Sequence, residues 1–244
     1  MAPRRLARER PPWQPACVVS DRAFDRLGAA VGVIGVVILL AALTVGGLGS
    51  SSTSGRPAPG ATTQQIVAFM SRSAPATSSI GFALVLTGFF VLLVFAVRLW
   101  ATLRNAEGGA AWLSTAGLAG AVVYEVADVS RFVLSEGRNL AAGHHLEPAE
   151  GVAFFDLSNA LTPFAWTGIA MFTIPMSIVA VRTGALPAWL GWAGLVIGLA
   201  NLVWGWLPPG GTSTPAEDAF ILWVVITSVV LIRRPLVQGA KVST

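Results

Sequence analysis

Charged side chains are scarce in this sequence. Only 11% of its 244 residues are Asp, Glu, Lys or Arg, whereas 54% are apolar. An ordinary soluble domain is about 25% charged. The deficit argues against a soluble globular protein and favours a chain whose solvent is lipid.

Cysteine and histidine are also scarce, which limits metal and redox chemistry. The single cysteine, Cys17, cannot supply an intrachain disulfide or a Cys-rich metal site. The two histidines, His144 and His145, are adjacent, and they belong to no HExxH motif or other ligand spacing. Because no predicted span contains a histidine that could ligate haem, we expect neither a metal site nor a cofactor.

The motifs of common enzymes are missing from the sequence as well. It has no CxxC, GxSxG or P-loop, and no GxGxxG between a strand and a helix. An intramembrane enzyme would need converging nucleophiles or metal ligands, and scattered carboxylates do not indicate them. We therefore expect a non-enzymatic protein. The net charge of +4 does not indicate a nucleic-acid partner, because the basic residues lie in the segments between apolar runs.

Long uncharged runs are what this sequence has in abundance. No Asp, Glu, Lys or Arg occurs in residues 27–48, 79–97, 108–124, 157–181 and 183–216. A membrane core about 30 Å thick is crossed by roughly 20 apolar residues of a helix, and unpaired backbone groups are not tolerated there. We predict an all-α integral membrane bundle over residues 27–233, with transmembrane helices at about 27–48, 79–100, 112–134, 158–181, 188–207 and 216–232.

The segments outside these six spans are polar. Residues 1–26 form a basic cytoplasmic tail that is partly disordered, and residues 234–244 form a second cytoplasmic tail. The first span is longer than the apolar part of a cleaved signal peptide, so we expect it to be retained; cleavage near Gly49 is the alternative. Residues 50–77 form an external loop with a short amphipathic turn at 65–70.

The orientation in the membrane follows from the positions of the basic residues. With the N-terminus inside, twelve of the 16 Lys and Arg residues lie on the inner side, and cytoplasmic segments normally hold this excess. We therefore predict that both termini are cytoplasmic. Arg outnumbers Lys by 15 to one and Ala, Gly and Pro are abundant, which is typical of a GC-rich bacterial genome. The expected location is the bacterial plasma membrane, with the lipid bilayer as the main partner.

Small residues line one face of two predicted spans. Gly194, Gly198 and Gly205 share a face of the fifth span, and Gly28 and Gly32 form a GxxxG in the first. Such stripes let helices approach closely in lipid. They predict packing, either within the chain or in a homo- or hetero-oligomer.

An internal repeat is a further interpretation. The pattern WL followed by AGL occurs at 112–118 and again at 189–195. Spans two and three would then match spans four and five as parallel hairpins. The alternative is that interfacial tryptophans and small packing residues arose independently in both places.

The third span contains charged residues that packing alone does not explain. Glu125, Asp128 and Arg131 recur at spacing three and share a helix face with Tyr124. Glu125 lies about 20 Å from Trp112 along the helix, at 1.5 Å per residue. An unpaired ionised carboxylate at that depth would be costly, so a partner or a water-filled vestibule is expected.

Two interpretations of this face remain open. In the first, an outward-facing polar cavity uses Glu125 as a proton acceptor or cation ligand, and Arg131 pairs with Asp128 or holds an anionic group. In the second, Asp128 and Arg131 form an ion pair near the outer surface, and Glu125 is protonated or bonded to Tyr124 or Asn201. The candidate ligand-binding residues are Tyr124, Glu125, Asp128, Arg131, Asp156, Asn159 and Asn201.

Two inner turns carry a resemblance to known proteins. They read RNAEGG at 104–109, followed by WLST at 112–115, and RTGALPAWLGW at 182–192. The chain over residues 79–200 resembles a broad group of uncharacterised bacterial multi-pass membrane proteins. The resemblance implies a helical membrane bundle and transfers no activity or catalytic residue.

Our leading functional hypothesis is a non-enzymatic bundle that binds a small molecule or lipid in an outward polar cavity, or serves as an accessory subunit. The alternative is a secondary transporter or proton-coupled permease that uses Glu125. The two differ in whether the charge of Glu125 is needed for transport of a solute.

Overall fold

The computed structural model describes residues 20–45, 57, 60–70, 78–135, 147–207 and 215–233. These residues form seven α-helices and no strand. The helices are α1 (Ser20–Val45), α2 (Thr63–Met70), α3 (Ser78–Glu107), α4 (Trp112–Ser135), α5 (Pro148–Thr183), α6 (Ala188–Trp206) and α7 (Pro215–Arg233). Cys17, His144, His145 and the C-terminal tail lie outside the described residues.

Four of these helices are long and apolar enough to cross a membrane. They are α5, α6, α7 and the segment Ile80–Glu107 of α3. In α1 the apolar section is the shorter segment Ala30–Ala42, and α4 contains the charged residues of the third predicted span. The all-helical class is confirmed, and membrane-spanning length is established for four of the six predicted spans.

Several helices extend beyond the apolar runs from which they were predicted. Ser20 begins α1 before the expected start of the first span, and α3 continues to Glu107. The Glu107 carboxylate accepts hydrogen bonds from the backbone N–H groups of Leu113 and Ser114, at 3.1 and 2.9 Å. These donors are otherwise unpaired at a helix start, so the end of α3 caps α4.

The fourth predicted span begins ten residues further upstream as a helix, at Pro148. Proline at the first position costs no hydrogen bond there, and Glu147 and Glu150 form a capping box. Residues 148–157 are therefore helical, although they lie outside the predicted span.

The short helix α2 confirms the amphipathic turn expected at 65–70. Thr62 and Gln65 bond reciprocally at its start, with Thr62 N–H donating to Gln65 Oε1 at 2.9 Å. Its apolar side chains, including Phe69, pack on the first turns of α5, where the rings of Phe69 and Phe155 meet edge to face at 6.2 Å.

Neighbouring long helices run antiparallel, as side-chain contacts show. In the pair α1 and α3, Gly28 lies against Arg98 and Gly88 lies against Leu39. In the pair α3 and α4, Phe89 meets Tyr124 and Phe82 meets Phe132. The two helices of each pair therefore have opposite directions.

Neighbouring helices are also antiparallel in the second half of the bundle, where α5 packs against both α4 and α6. A Cβ on Gly117 would lie 2.8 Å from Met176 Cγ, and one on Gly198 would lie 2.5 Å from Thr173 Oγ1. Trp223 Nε1 of α7 donates to the Leu190 carbonyl of α6 at 3.0 Å. Here the glycine stripes of the sequence serve close packing within one chain.

Because each neighbour reverses direction, the start of α1 and the end of α7 lie at the same end of the bundle. The first and last helices also pack together, since Gly32 in the middle of α1 lies against Ser228 of α7. The described Arg98, Arg104, Arg182 and Arg233 also belong to that end. Opposite it lie the ends of α4 and α6 and the starts of α5 and α7, which together hold the candidate site.

The surface of the bundle is rich in large apolar side chains, and its mainly apolar core contains several polar ones. Large apolar residues such as Phe90, Val126, Phe164 and Leu222 are exposed. Buried polar side chains include Ser114, Ser158, Thr162, Thr173, Ser177, Asn201, Thr227 and Ser228. An apolar exterior around a partly polar interior is the pattern that a lipid solvent requires.

Candidate functional site

Three charged side chains from two helices meet near the start of α7. On α4, Arg131 forms an ion pair with Asp128, one turn earlier. The Arg131 Nη2 atom also lies 3.6 Å from Glu217 Oε1 of α7. We call Asp128, Arg131 and Glu217 the charged cluster.

The third helix of this junction, α5, contributes hydrogen-bond donors. Trp166 Nε1 donates to Glu217 Oε2 at 3.3 Å. About two turns before Trp166 in α5, Ser158 Oγ donates to the backbone carbonyl of Arg131 at 3.1 Å. The charged cluster therefore joins α4, α5 and α7 at one end of the bundle.

The charged cluster is largely removed from solvent. The side chains of Arg131 and Glu217 are each 15% exposed, and Asp128 is 5% exposed as a whole residue. Buried charges lose hydration on folding, and this loss is offset only when partners and hydrogen bonds are in place. Arg131 opposes two carboxylates, so losing it would leave both without their cation.

Glu125 adds a further carboxyl group one turn before Asp128. It is only 9% exposed, and within the described part of the chain it has no hydrogen-bond or ion-pair partner. Among the described residues, Glu125, Asp128 and Glu217 thus accompany Arg131 at this end of α4 and α7. The charges of these four groups do not balance if all are ionised.

Aromatic rings surround this part of α4. Tyr124 is buried and meets Phe89 of α3 edge to face at 6.3 Å and Phe220 of α7 at 5.5 Å. Phe172 of α5 meets Phe220 in turn, at 6.2 Å. Tyr124, which precedes Glu125 in the chain, is therefore set among aromatic rings of α3 and α7.

The structure brings four of the seven predicted site residues together. Tyr124, Glu125, Asp128 and Arg131 share the inward face of α4, as their spacing indicated. The predicted ion pair between Asp128 and Arg131 is present.

The other three predicted site residues lie elsewhere. Asn201 is fully buried, and its Nδ2 donates to the carbonyls of Ile197 and Ala216, each at 3.0 Å, so it joins α6 to α7. Asp156 is exposed on α5 and Asn159 is half-buried. Within the described residues, Asn201 makes no hydrogen bond to Glu125, which was one of the two partners considered for that carboxyl group.

Sequence reasoning missed Glu217, and it did not connect Trp166 with the charged face. Glu217 stands in the first turn of the last span, where acidic residues are common because they favour the positive end of the helix dipole. A signal did exist, since in an alternating bundle the sixth predicted span, with Glu217 near its start, begins at the end where the third span, with Arg131, finishes.

Comparison with known protein families, with curated proteins and with solved structures finds no match. The chemistry of the site is therefore argued from the residues themselves.

Proposed function

We propose that this chain is a six-span protein of the bacterial plasma membrane with both termini in the cytoplasm. The antiparallel order of α1, α3, α4, α5, α6 and α7 supports six crossings. The four long apolar helices keep this alternation of direction along the chain only if α1 and α4 cross the membrane as well. The Arg-rich end of the bundle then faces the cytoplasm. The charged cluster belongs to the outward half.

We further propose that the protein is non-enzymatic and binds a small molecule or lipid at the charged cluster and Glu125. One observation supports this proposal above the others: Glu125 is a nearly buried carboxyl group with no partner among the described residues. Ionisable groups at membrane depth are costly, and when they are present they commonly serve a ligand or ion. A purely structural role is already filled by Arg131, which pairs with Asp128 and lies near Glu217.

A thermal-shift experiment on the full chain in detergent tests this binding function. The panel is tetraphenylphosphonium, dodecyl phosphate, dodecanol and phosphatidylglycerol, which differ in charge. A ligand at 100 times its Kd stabilises the folded state by about 2.7 kcal/mol. We expect at least one compound to raise the Tm, and we expect Glu125→Gln to abolish that increase.

The matched control for this experiment is Asp218→Asn, which removes an exposed carboxylate at the same end of the bundle. It should preserve the increase in Tm. If no compound stabilises the protein, or if both substitutions act alike, the proposed site is wrong.

Proton-coupled transport is a second candidate, favoured by the depth of Glu125 and by its isolation from Arg131. A carboxyl group without a fixed partner can exchange a proton for a cationic solute. Liposomes containing the protein and a pH-sensitive dye would report proton movement when a tetraphenylphosphonium gradient is imposed. Coupled movement that is lost in Glu125→Gln would support transport; equal rates in wild type and variant would reject it.

A further inference from the structure

We propose that the seam between α3 and α4 binds a hydrophobic organic cation, such as an aryl-substituted ammonium or phosphonium ion, with Glu125 as its counter-ion. This inference rests on the proposed binding function and identifies the class of ligand. It depends on three features of the seam: its aromatic rings, its charge balance and its packing.

Aromatic pairs lie on both sides of Glu125 along the seam. Just before it in α4, the ring of Tyr124 meets Phe89 of α3 at 6.3 Å. Two turns after it, Phe132 stacks on Phe82 of α3 with centroids 5.5 Å apart. Residues 125 and 132 face the same side of α4 because seven residues make almost two full turns. Glu125 therefore lies between two ring pairs that connect the same two helices.

The charge balance favours a cation over an anion. The guanidinium of Arg131 is already paired with Asp128 and lies 3.6 Å from Glu217. An anionic headgroup would have to compete with these two carboxylates and would also approach Glu125. A cation beside Glu125 would instead supply the opposite charge that this carboxylate lacks among the described residues.

The surroundings favour a hydrophobic organic cation over a hydrated metal ion. On the α3 side, Val85 and Phe89 are buried and apolar. Calcium and magnesium ions take six or more oxygen ligands, and the described residues contain no group of three or more His, Cys, Asp or Glu that could hold a metal ion. Aromatic faces, by contrast, attract an organic cation through their negative quadrupole.

The packing of the seam leaves a route for such a ligand. The contact between α3 and α4 is less extensive than the contact between α4 and α5. Phe82 and Phe132, the outer ring pair, are only half-buried. A ligand that entered from this end would separate these two half-buried rings and would leave the closely packed α4–α5 contact intact.

The test uses the full-length chain in detergent and measures binding of tetraphenylphosphonium by isothermal titration calorimetry. Tetraphenylborate is the control ligand, because it has nearly the same shape and the opposite charge. We expect saturable binding of the cation alone. Because Glu125→Gln removes the charge that attracts the cation in a poorly hydrated seam, it should weaken binding by at least about 10-fold.

Three further variants separate the roles of charge, rings and folding. Glu125→Asp keeps the charge and should bind more tightly than Glu125→Gln. Phe132→Leu keeps apolar volume but removes a ring, and it should weaken binding by about threefold. Asp218→Asn should bind as the wild type does. Each variant is compared with the wild type by size-exclusion chromatography, so that a loss of binding in a monodisperse sample is not a loss of folding.

Three results would overturn the inference. They are an unchanged affinity in monodisperse Glu125→Gln, saturable binding of tetraphenylborate as tight as that of the cation, and failure of the cation to bind. If the anionic or neutral compounds then still stabilise the protein in a manner that depends on Glu125, the binding function stands and only the ligand class is wrong. If no compound does, both proposals fail.

Discussion

At the scale of single residues, Arg131 has the largest electrostatic role in the described structure. It is the cation of the charged cluster, and its side chain is mostly buried between Asp128 and Glu217. Removing one partner of a buried ion pair leaves an uncompensated charge, which generally costs more than the pair contributes to stability.

We therefore expect Arg131→Met to lower the free energy of unfolding by about 3 to 5 kcal/mol. The substitution keeps an unbranched, mainly apolar stem and removes the guanidinium group with its charge and hydrogen bonds. Thermal unfolding in detergent, followed by loss of helical circular dichroism, measures the change.

The control for this substitution is Arg104→Met at the opposite end of the bundle. Arg104 is exposed and lies over the ring of Trp100 at 5.0 Å. An exposed cation–π contact contributes about 0.5 to 1 kcal/mol, so the control should lose no more than that. Equal losses in the two variants would contradict the role assigned to Arg131.

The sequence predicted site residues correctly where their positions depend on a single helix. Tyr124, Glu125, Asp128 and Arg131 share a face because helical periodicity places them there. Glu217 was not predicted because its contact with Arg131 depends on how α7 packs against α4. Helical spacing carries no information on that docking.

At the scale of helices, glycines determine how closely α4 and α5 approach. A Cβ on Gly168 would lie 2.5 Å from the backbone nitrogen of Tyr124, whereas one on Gly205 would have no neighbour nearer than 3.5 Å. The first site leaves no room for a methyl group against rigid backbone, and the second leaves ordinary van der Waals space.

Gly168→Ala and Gly205→Ala should consequently have opposite effects. Overpacking costs about 1 to 3 kcal/mol, so the first should be destabilising. The second should be neutral or stabilising by up to about 1 kcal/mol, because alanine is the better helix former. Thermal unfolding of both variants in the same detergent gives the comparison. Destabilisation of similar size at both sites would show that the α4–α5 approach is not the cause.

The ends of a helix were predicted well where its residues are apolar and poorly where they are polar. The fifth and sixth predicted spans agree with α6 and α7 to within a residue at each end. The polar starts of α1 and α5 were missed, because hydropathy marks the part of a helix that lies in lipid and not the turns that project from it. Capping at Glu147 and Glu150 determines where α5 begins.

At the scale of the whole molecule, the antiparallel order of the helices predicts that the chain ends share a compartment. Fusions of a fluorescent protein and of alkaline phosphatase to either terminus measure this in cells. Green fluorescent protein should be fluorescent at both ends, and alkaline phosphatase should be inactive at both. Insertion of the phosphatase between residues 136 and 146 should yield active enzyme, because that connection follows an odd number of crossings.

Active phosphatase at one terminus and not at the other would contradict the six-span arrangement. Active phosphatase at both ends would reverse the orientation while leaving six crossings in place. It would then assign Glu125 and the charged cluster to the cytoplasmic half.

The sequence by itself determined the class of this protein and the face of α4 on which its charges lie. Both follow from local physics: uncharged runs of sufficient length must be helical in lipid, and residues three or four apart share a helix face. Only the tertiary structure decided which charges meet. Glu217 lies near Arg131, Trp166 donates to Glu217, and Glu125 has no partner among the described residues, because these relations depend on the docking of α3, α5 and α7 around α4.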